Sequence, residues 1–245
     1  MAPVQAVILG LVQGLTEFLP ISSTAHLVVA QAILGLNSPP VELDIVLHLA
    51  TALATGVVLW PIIKAIDCRQ VRLIFVAMVP TGILGLWLNR WDELIFGSVL
   101  FTAITLIING LMLLLPRLMR IKPASLSYSS AAGIGLAQGL AVLPGISRSG
   151  ATIVAGLLLG LQPESAYNFS FLISLPAILA AQGLHFHEFN WHRAELLNYS
   201  LGFITAFVSG YFALMWLRRL VARGRFTAFA VYCLILGTVL LGFKN

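Results

Sequence analysis

Two short stretches carry the residue types that can do chemistry. The first holds Gln13, Thr16, Glu17, Pro20, Ser22, Ser23, Thr24 and His26; the second holds Pro144, Gly145, Ser147, Arg148 and Ser149. Glu17 follows Gln13 by four residues, so on a helix both face one side. Ser22, Ser23 and Thr24 follow Pro20 and precede an apolar run, as N-cap residues do. A helix start also gathers unbonded N–H groups and partial positive charge, which suits a phosphate. His26 comes within one turn of these hydroxyls; beside Glu17 and Ser23 it fits a general base or a nucleophile, and a packed core histidine is the competing role. Arg148 brings a guanidinium that needs an anion. If the two stretches meet, a carboxylate, a hydroxyl, an imidazole and a guanidinium converge near two helix N-termini, a set for phosphoryl chemistry. Glu17 beside a phosphate is repelled unless a divalent cation, Mg²⁺ or Ca²⁺, bridges them.

The elements that position these residues must lie in lipid. Hydrophobic residues make up 59% of the 245 positions, charged residues 9%, and the mean hydropathy is +0.97. A soluble domain carries about 25% charged residues, so this chain cannot cover a water-facing surface. The apolar runs are long and not alternating, which predicts helices and not a β-barrel. Met1, Ala2 and Pro3 lead into an apolar helix pattern with no basic n-region, so no cleaved leader is expected. Glu17 and Arg148 are costly inside a membrane unless paired or hydrated, which makes them functional by default; satisfying a broken backbone is the other role open to Glu17.

Basic residues fix the path of the chain. Lys64/Arg69/Arg72, Arg117/Arg120/Lys122 and Arg218/Arg219/Arg223/Arg225 hold ten of the 14 Lys and Arg. Each cluster breaks an apolar run, and the positive-inside rule places all three in the cytoplasm. Their dispersal over three loops excludes a nucleic-acid partner. Segments 43–63, 94–116 and 199–217 then run inward, and 70–88, 166–184 and 226–243 run outward. Each is long enough to span a bilayer.

The stretches 4–36 and 125–161 remain, each interrupted near its middle. The second starts and ends in the cytoplasm, so it crosses an even number of times. Re-entrant pairs of half-helices fit better than two short crossings, because polar backbone at depth needs protein or a cavity around it. The two stretches are also copies. At an offset of 125, Gly10, Gln13, Gly14 and Leu15 meet Gly135, Gln138, Gly139 and Leu140; Ile21 and Ser22 meet Ile146 and Ser147. The register continues through the spanning segments, always with opposite direction. The expectation is an all-α polytopic membrane protein, one membrane domain over 1–245. It is built as an inverted-topology repeat, 1–122 and 123–245, with about six transmembrane helices plus two re-entrant helix pairs. Glu17 and His26 align with Val142 and Ala151, so the reactive set is not duplicated.

Other residues carry less. Asp44 and His48 either line the pocket or, for Asp44, sit in the outer headgroup region. His185, His187, His192, Glu188 and Glu195 form an outer-loop set for which metal binding and a solvated loop compete, and the solvated loop is the better fit. Trp60, Trp87, Trp91, Trp191 and Trp216 read as interfacial anchors. Cys68 and Cys233 lie far apart and read as packing residues with no disulfide framework.

Glu17, Ser22, Ser23, Thr24 and His26 together resemble the first signature of the undecaprenyl-diphosphatase (bacitracin-resistance) family. Pro144 to Thr152 resembles the second signature, and Phe169 to Pro176 the third. The resemblance covers nearly the whole chain; position 13 is Gln where many members carry Glu. It implies hydrolysis of undecaprenyl diphosphate to undecaprenyl phosphate and inorganic phosphate. The reaction is expected at the periplasmic side of the bacterial inner membrane, recycling the lipid carrier for peptidoglycan synthesis and giving bacitracin resistance. It implies that Glu17 with Gln13 holds the metal, that Ser23 is the candidate nucleophile, His26 its base or an alternative nucleophile, and Arg148 the diphosphate clamp. Ser22, Thr24, Ser147, Ser149, Thr152 and His48 complete the expected substrate-binding set. Partners are then the polyprenyl diphosphate and membrane lipids, with a homodimer left open. The rival reading on the same scaffold is a secondary transporter or polyprenyl-phosphate flippase.

Overall fold

The computed structural model describes residues 1–36, 41–91, 98–119, 121–185 and 193–242. Arg120, His187, Glu188, Trp191 and His192 fall outside them. The described residues form eleven α-helices and no strand. They are α1 Pro3–Phe18, α2 Ser23–Ile33, α3 Val41–Val58, α4 Trp60–Ile63, α5 Cys68–Leu88 and α6 Val99–Leu118. Then come α7 Tyr128–Leu140, α8 Arg148–Leu158, α9 Pro163–His185, α10 Leu196–Ala222 and α11 Thr227–Gly242. Five of them, α3, α5, α6, α9 and α10, are long and apolar enough to cross a membrane. Their outward faces carry large apolar side chains such as Phe75, Ile83, Ile204 and Phe212, each more than half exposed. Only hydrocarbon solvates such faces.

Several boundaries differ from the sequence reading, each for a local reason. The segment expected at 43–63 divides at Leu59, because Pro61 lacks the N–H that would continue α3. The segment expected at 199–217 extends to Leu196–Ala222 and ends at Gly224, whose φ of 60° is the left-handed turn that stops a helix. The segment expected at 226–243 is helical over Thr227–Gly242, sixteen residues. Trp60, Trp87 and Trp91 are exposed near helix ends, and Trp216 is exposed six residues before the end of α10. Glu195, expected as a loop residue, accepts an ion pair from the Met1 amino group at 3.0 Å.

Packing is organised by small residues. α1 lies along α10, α7 lies along α5, and α6 lies along α11. Gly10 and Gly14 bring α1 onto α10, where an added Cβ would collide with Thr205 and Ser209. Gly135 and Gly139, at the same offset of 125, bring α7 onto α5, where an added Cβ would meet the Ala77 carbonyl and Leu84. Each pair has the glycine spacing of four that lets membrane helices touch backbone to backbone. The main core, including Phe18, Phe171, Tyr167, Ile173 and Leu214, lies beside the two chain breaks and holds them in place.

Candidate active site

Each break ends one helix and starts another, so each leaves backbone groups that need partners. The partners come from the opposite break and from α6. After α1, the carbonyls of Phe18, Leu19 and Pro20 point away from any continuing helix. Ser149 Oγ donates to the Phe18 carbonyl at 2.8 Å, and Ser147 Oγ to that of Leu19 at 3.3 Å. Asn109 Nδ2, from α6, donates to the Pro20 carbonyl at 3.0 Å. In return the Gly145 amide donates to Ser22 Oγ at 3.2 Å, and the Ser147 amide to Asn109 Oδ1 at 3.0 Å. Thr105 Oγ1 donates to the Pro144 carbonyl. The two breaks therefore form one buried polar layer in which these broken backbone groups are partnered within the protein, as lipid requires.

Glu17 is the hub of this layer. Its carboxylate is 6% exposed, and three side chains donate to it. Ser23 Oγ donates to Oε2 at 2.7 Å, Gln13 Nε2 to Oε2 at 3.1 Å, and Arg148 Nη2 to Oε1. His48 Nε2 stands 3.9 Å from Oε2, while its Nδ1 donates to the Asp44 carbonyl at 2.8 Å. Glu17, Ser23 and Arg148, expected to converge, thus meet at one carboxylate. Arg148 Nη1 is buried and has no partner, so one N–H edge of the guanidinium remains to bind an anion.

These residues line a cavity of about 680 Å³. Its inner wall holds Glu17, Ser22, Ser23, Thr24, His48, Ser147 and Arg148, and Met78, Thr81 and Gln138 continue it. Its mouth lies at the C-terminal ends of α5 and α9, beside Gly85, Leu86 and Leu184. The mouth is apolar and the floor polar, the gradient an amphiphile needs.

Other expected site residues sit elsewhere. His26 does not line the cavity. Its Nδ1 donates to the Ser22 carbonyl at 2.7 Å, and its Nε2 lies 2.5 Å from Tyr232 Oη, with the rings stacked. Ser149 and Thr152 also stand outside the lining; Ser149 serves the Phe18 carbonyl, and Thr152 bonds the Arg148 carbonyl and Ser170. Ser22 has a φ of 69° and makes no side-chain cap for α2, because its hydroxyl is engaged by Gly145. The expected N-cap bond is therefore absent, and the first amides of α2 keep their donors. Asp44 accepts from Gln31 at 3.2 Å and lies outside the lining.

Among the described residues, no group of three or more His, Cys, Asp or Glu gathers as a metal cluster. The Glu17 carboxylate on the floor, and the buried, unpartnered Gln13 Oε1 one helical turn behind it and outside the lining, are the carboxylate and amide oxygens for a cation. That set suits a hard cation that keeps waters and binds substrate phosphate. Sequence reading missed Asn109, Thr81 and Tyr232. Asn109 carried one available signal, an amide in the middle of an apolar span.

A family profile described as bacitracin resistance protein BacA matches residues 6–239. An undecaprenyl-diphosphatase of Desulfosudis oleivorans is 44% identical, over 98% of this chain and 98% of the relative. Those of Carboxydothermus hydrogenoformans and Bacteroides fragilis are 41% and 39% identical, over 97% and 96% of this chain and 95% and 96% of the relatives.

Proposed function

Because the chain belongs to the bacitracin-resistance BacA family, we infer that it is a multi-pass membrane hydrolase of undecaprenyl diphosphate. It releases undecaprenyl phosphate and inorganic phosphate, recycling the lipid carrier of peptidoglycan synthesis and conferring bacitracin resistance. The observation that carries the mechanism is Glu17. It is bonded at once by Ser23 of its own break and by Arg148 of the other, on the floor of a cavity with an apolar mouth.

The scaffold is read as an inverted repeat, 1–122 and 123–245. α2 and α8 are each eleven residues, about 16 Å long at 1.5 Å per residue. That is about half the hydrocarbon thickness, which supports re-entrant pairs in place of crossings. α11, at sixteen residues, completes six spans where the bilayer thins around it. α5 starts beside Arg69 and Arg72, and the start of α9 pairs Glu164 with Arg218. Both helices then run from the basic face to the cavity mouth. By the positive-inside rule that mouth opens on the periplasmic side of the inner membrane.

The chain's own groups account for the chemistry. The free amides at the start of α2 and the open edge of Arg148 hold the terminal phosphate. Ser23 Oγ attacks the terminal phosphorus as its proton passes to Glu17 Oε2. The phosphorus–oxygen anhydride bond breaks, and undecaprenyl phosphate leaves with the bridging oxygen. Glu17 passes that proton to the departing phosphate; water then attacks the phosphoserine phosphorus, its hydroxide completing the released inorganic phosphate while its other proton returns through Glu17 to Ser23 Oγ. Glu17 with Gln13 would hold a divalent cation, Mg²⁺ or Ca²⁺; when bound it supplies charge neutralisation for the diphosphate. Ser23 is favoured over His26 as nucleophile because both ring nitrogens of His26 are engaged away from the cavity. His26 instead secures the Ser22 turn, and His48 faces the phosphate from α3.

The test is release of phosphate from a polyprenyl diphosphate by purified protein, with and without chelator. Ser23→Ala and Arg148→Ala are each expected to lose more than ~10-fold in rate. Full activity in Arg148→Ala overturns the clamp.

A further inference from the structure

A second cavity, of about 890 Å³, lies at the other end of the molecule. It forms where α6 and α10 end and α11 begins. Leu113, Leu220 and the edge-to-face pair Trp216 and Phe229, with centroids 6.1 Å apart, make its apolar walls. Its rim is cationic: Arg117, Arg223 and Arg225 all border it.

Local structure places these three charges. Arg223 and Arg225 flank Gly224, whose φ of 60° turns the chain after α10. The turn is closed by the Gly224 amide donating to the Val221 carbonyl at 3.0 Å and the Arg225 amide to that of Leu220 at 3.0 Å. Such a closed turn fixes where both side chains leave the backbone. Arg117 Nη1 donates to Thr227 Oγ1 at 3.3 Å, which holds its guanidinium at the first turn of α11. Among the described residues no carboxylate pairs with any of the three; the nearby Glu164 is held by Arg218 at 2.5 Å.

We propose that this cavity is a binding site for one anionic phospholipid, with its phosphate at Arg117, Arg223 and Arg225 and its chain along Leu113, Leu220 and Phe229. Two observations select that ligand class. Three unpaired cations around one rim call for an anion, and apolar walls below them call for hydrocarbon. A soluble anion satisfies only the first, and a neutral lipid only the second. Basic pockets between helices on the positive side of a membrane protein recognise lipid headgroups on this principle. The site is distinct from the diphosphatase floor, since its lining holds no carboxylate to match Glu17. The inference does not rest on the catalytic reading.

The experiment is native mass spectrometry of the full chain released from detergent, titrated separately with phosphatidylglycerol, phosphatidylcholine and inorganic phosphate. The wild type is expected to retain one phosphatidylglycerol at a concentration at least ~10-fold below that needed for phosphatidylcholine. Arg117→Gln/Arg223→Gln/Arg225→Gln is expected to abolish that preference while phosphate release from the diphosphate is unchanged. Leu220→Trp, which fills the apolar part with every charge kept, is expected to remove the lipid too. It serves as the independent variant if the triple one folds poorly. Equal retention of the two lipids by the wild type, undiminished phosphatidylglycerol in Leu220→Trp, or its displacement by inorganic phosphate would each overturn the proposal.

Discussion

Ser22 and Ser147 stand 125 residues apart, each immediately before an eleven-residue helix, yet their hydroxyls go to different places. Ser147 has an ordinary extended backbone, with φ −82°, and its Oγ accepts from the Gly150 amide at 3.2 Å, a cap for its own helix. Ser22 has φ 69°, and its Oγ accepts from Gly145 of the other break. One half-helix is thus closed by its serine, and the other is left open towards the cavity. A non-glycine residue in the left-handed region costs of order 1 kcal/mol. The surrounding bonds to Gly145 and His26 hold it there. The same asymmetry appears one turn earlier, where Glu17 corresponds to Val142, and Gln13 serves Glu17 while Gln138 reaches Thr81. The difference teaches a division of labour. The first break presents the reacting groups and bare helix amides. The second spends its serines on supporting the first and contributes one cation.

The comparison breaks hardest at Glu17. Glu17→Gln keeps the shape but removes the proton acceptor of Ser23 and the partner of Arg148. Turnover is expected to fall by ~10²–10³, measured as phosphate release with folded protein confirmed by size-exclusion profile. A loss of only a few-fold would move the acid–base role elsewhere.

Asn109→Leu comes next. This buried amide bonds one group from each break, so replacing it orphans the Ser147 amide and leaves the Pro20 carbonyl only the Cys233 thiol at 3.6 Å. The cost is about 1–3 kcal/mol of stability. If Asn109 sets the register of the two breaks, kcat falls about tenfold with KM little changed, and Asn109→Ser, which keeps a donor and an acceptor, recovers part of it. A change in thermal midpoint alone would make Asn109 merely structural.

Ser147→Ala should cost about 1 kcal/mol through the lost cap, read as a lower thermal midpoint, with activity within a few-fold of wild type. If it instead abolishes turnover with the fold intact, the second break reacts as well as supports. Tyr232→Phe carries the smallest effect. It frees His26 Nε2 without touching the cavity, and the rate is expected to change less than about threefold. A large loss would return His26 to the reacting set.

Much of this arrangement is legible in the residues themselves. The offset of 125 sets α2 and α8 at matching bounds, and helix spacing alone aligns Gln13 with Glu17. A guanidinium in an apolar chain demands an anion, and Glu17 is the buried one it finds. What spacing does not carry is competition among hydrogen-bond acceptors. Ser149 and Thr152 look available beside Arg148, but the broken end of α1 leaves carbonyls that outbid any ligand for Ser149, and Ser170 takes Thr152. Ser22 looks like a cap until the Gly145 amide, 123 residues away, claims its hydroxyl. Asn109 shows its role only when α6 packs against both breaks. The split at Leu59 was signalled by Pro61, but the apolar run around it concealed the stop. Gly10 and Gly14, and their copies Gly135 and Gly139, stand in the sequence as part of the repeat; their use as backbone contacts needs the partner helices.

The most direct test of the division between a reacting and a supporting break is where phosphate resides during turnover. Rapid quenching of the purified enzyme with polyprenyl diphosphate labelled at its terminal phosphate, followed by peptide mass spectrometry, locates it. Phosphate on Ser23, absent in Ser23→Ala and undiminished in Ser147→Ala, is the predicted result. Phosphate on His26, or on a serine of the second break, would contradict the account.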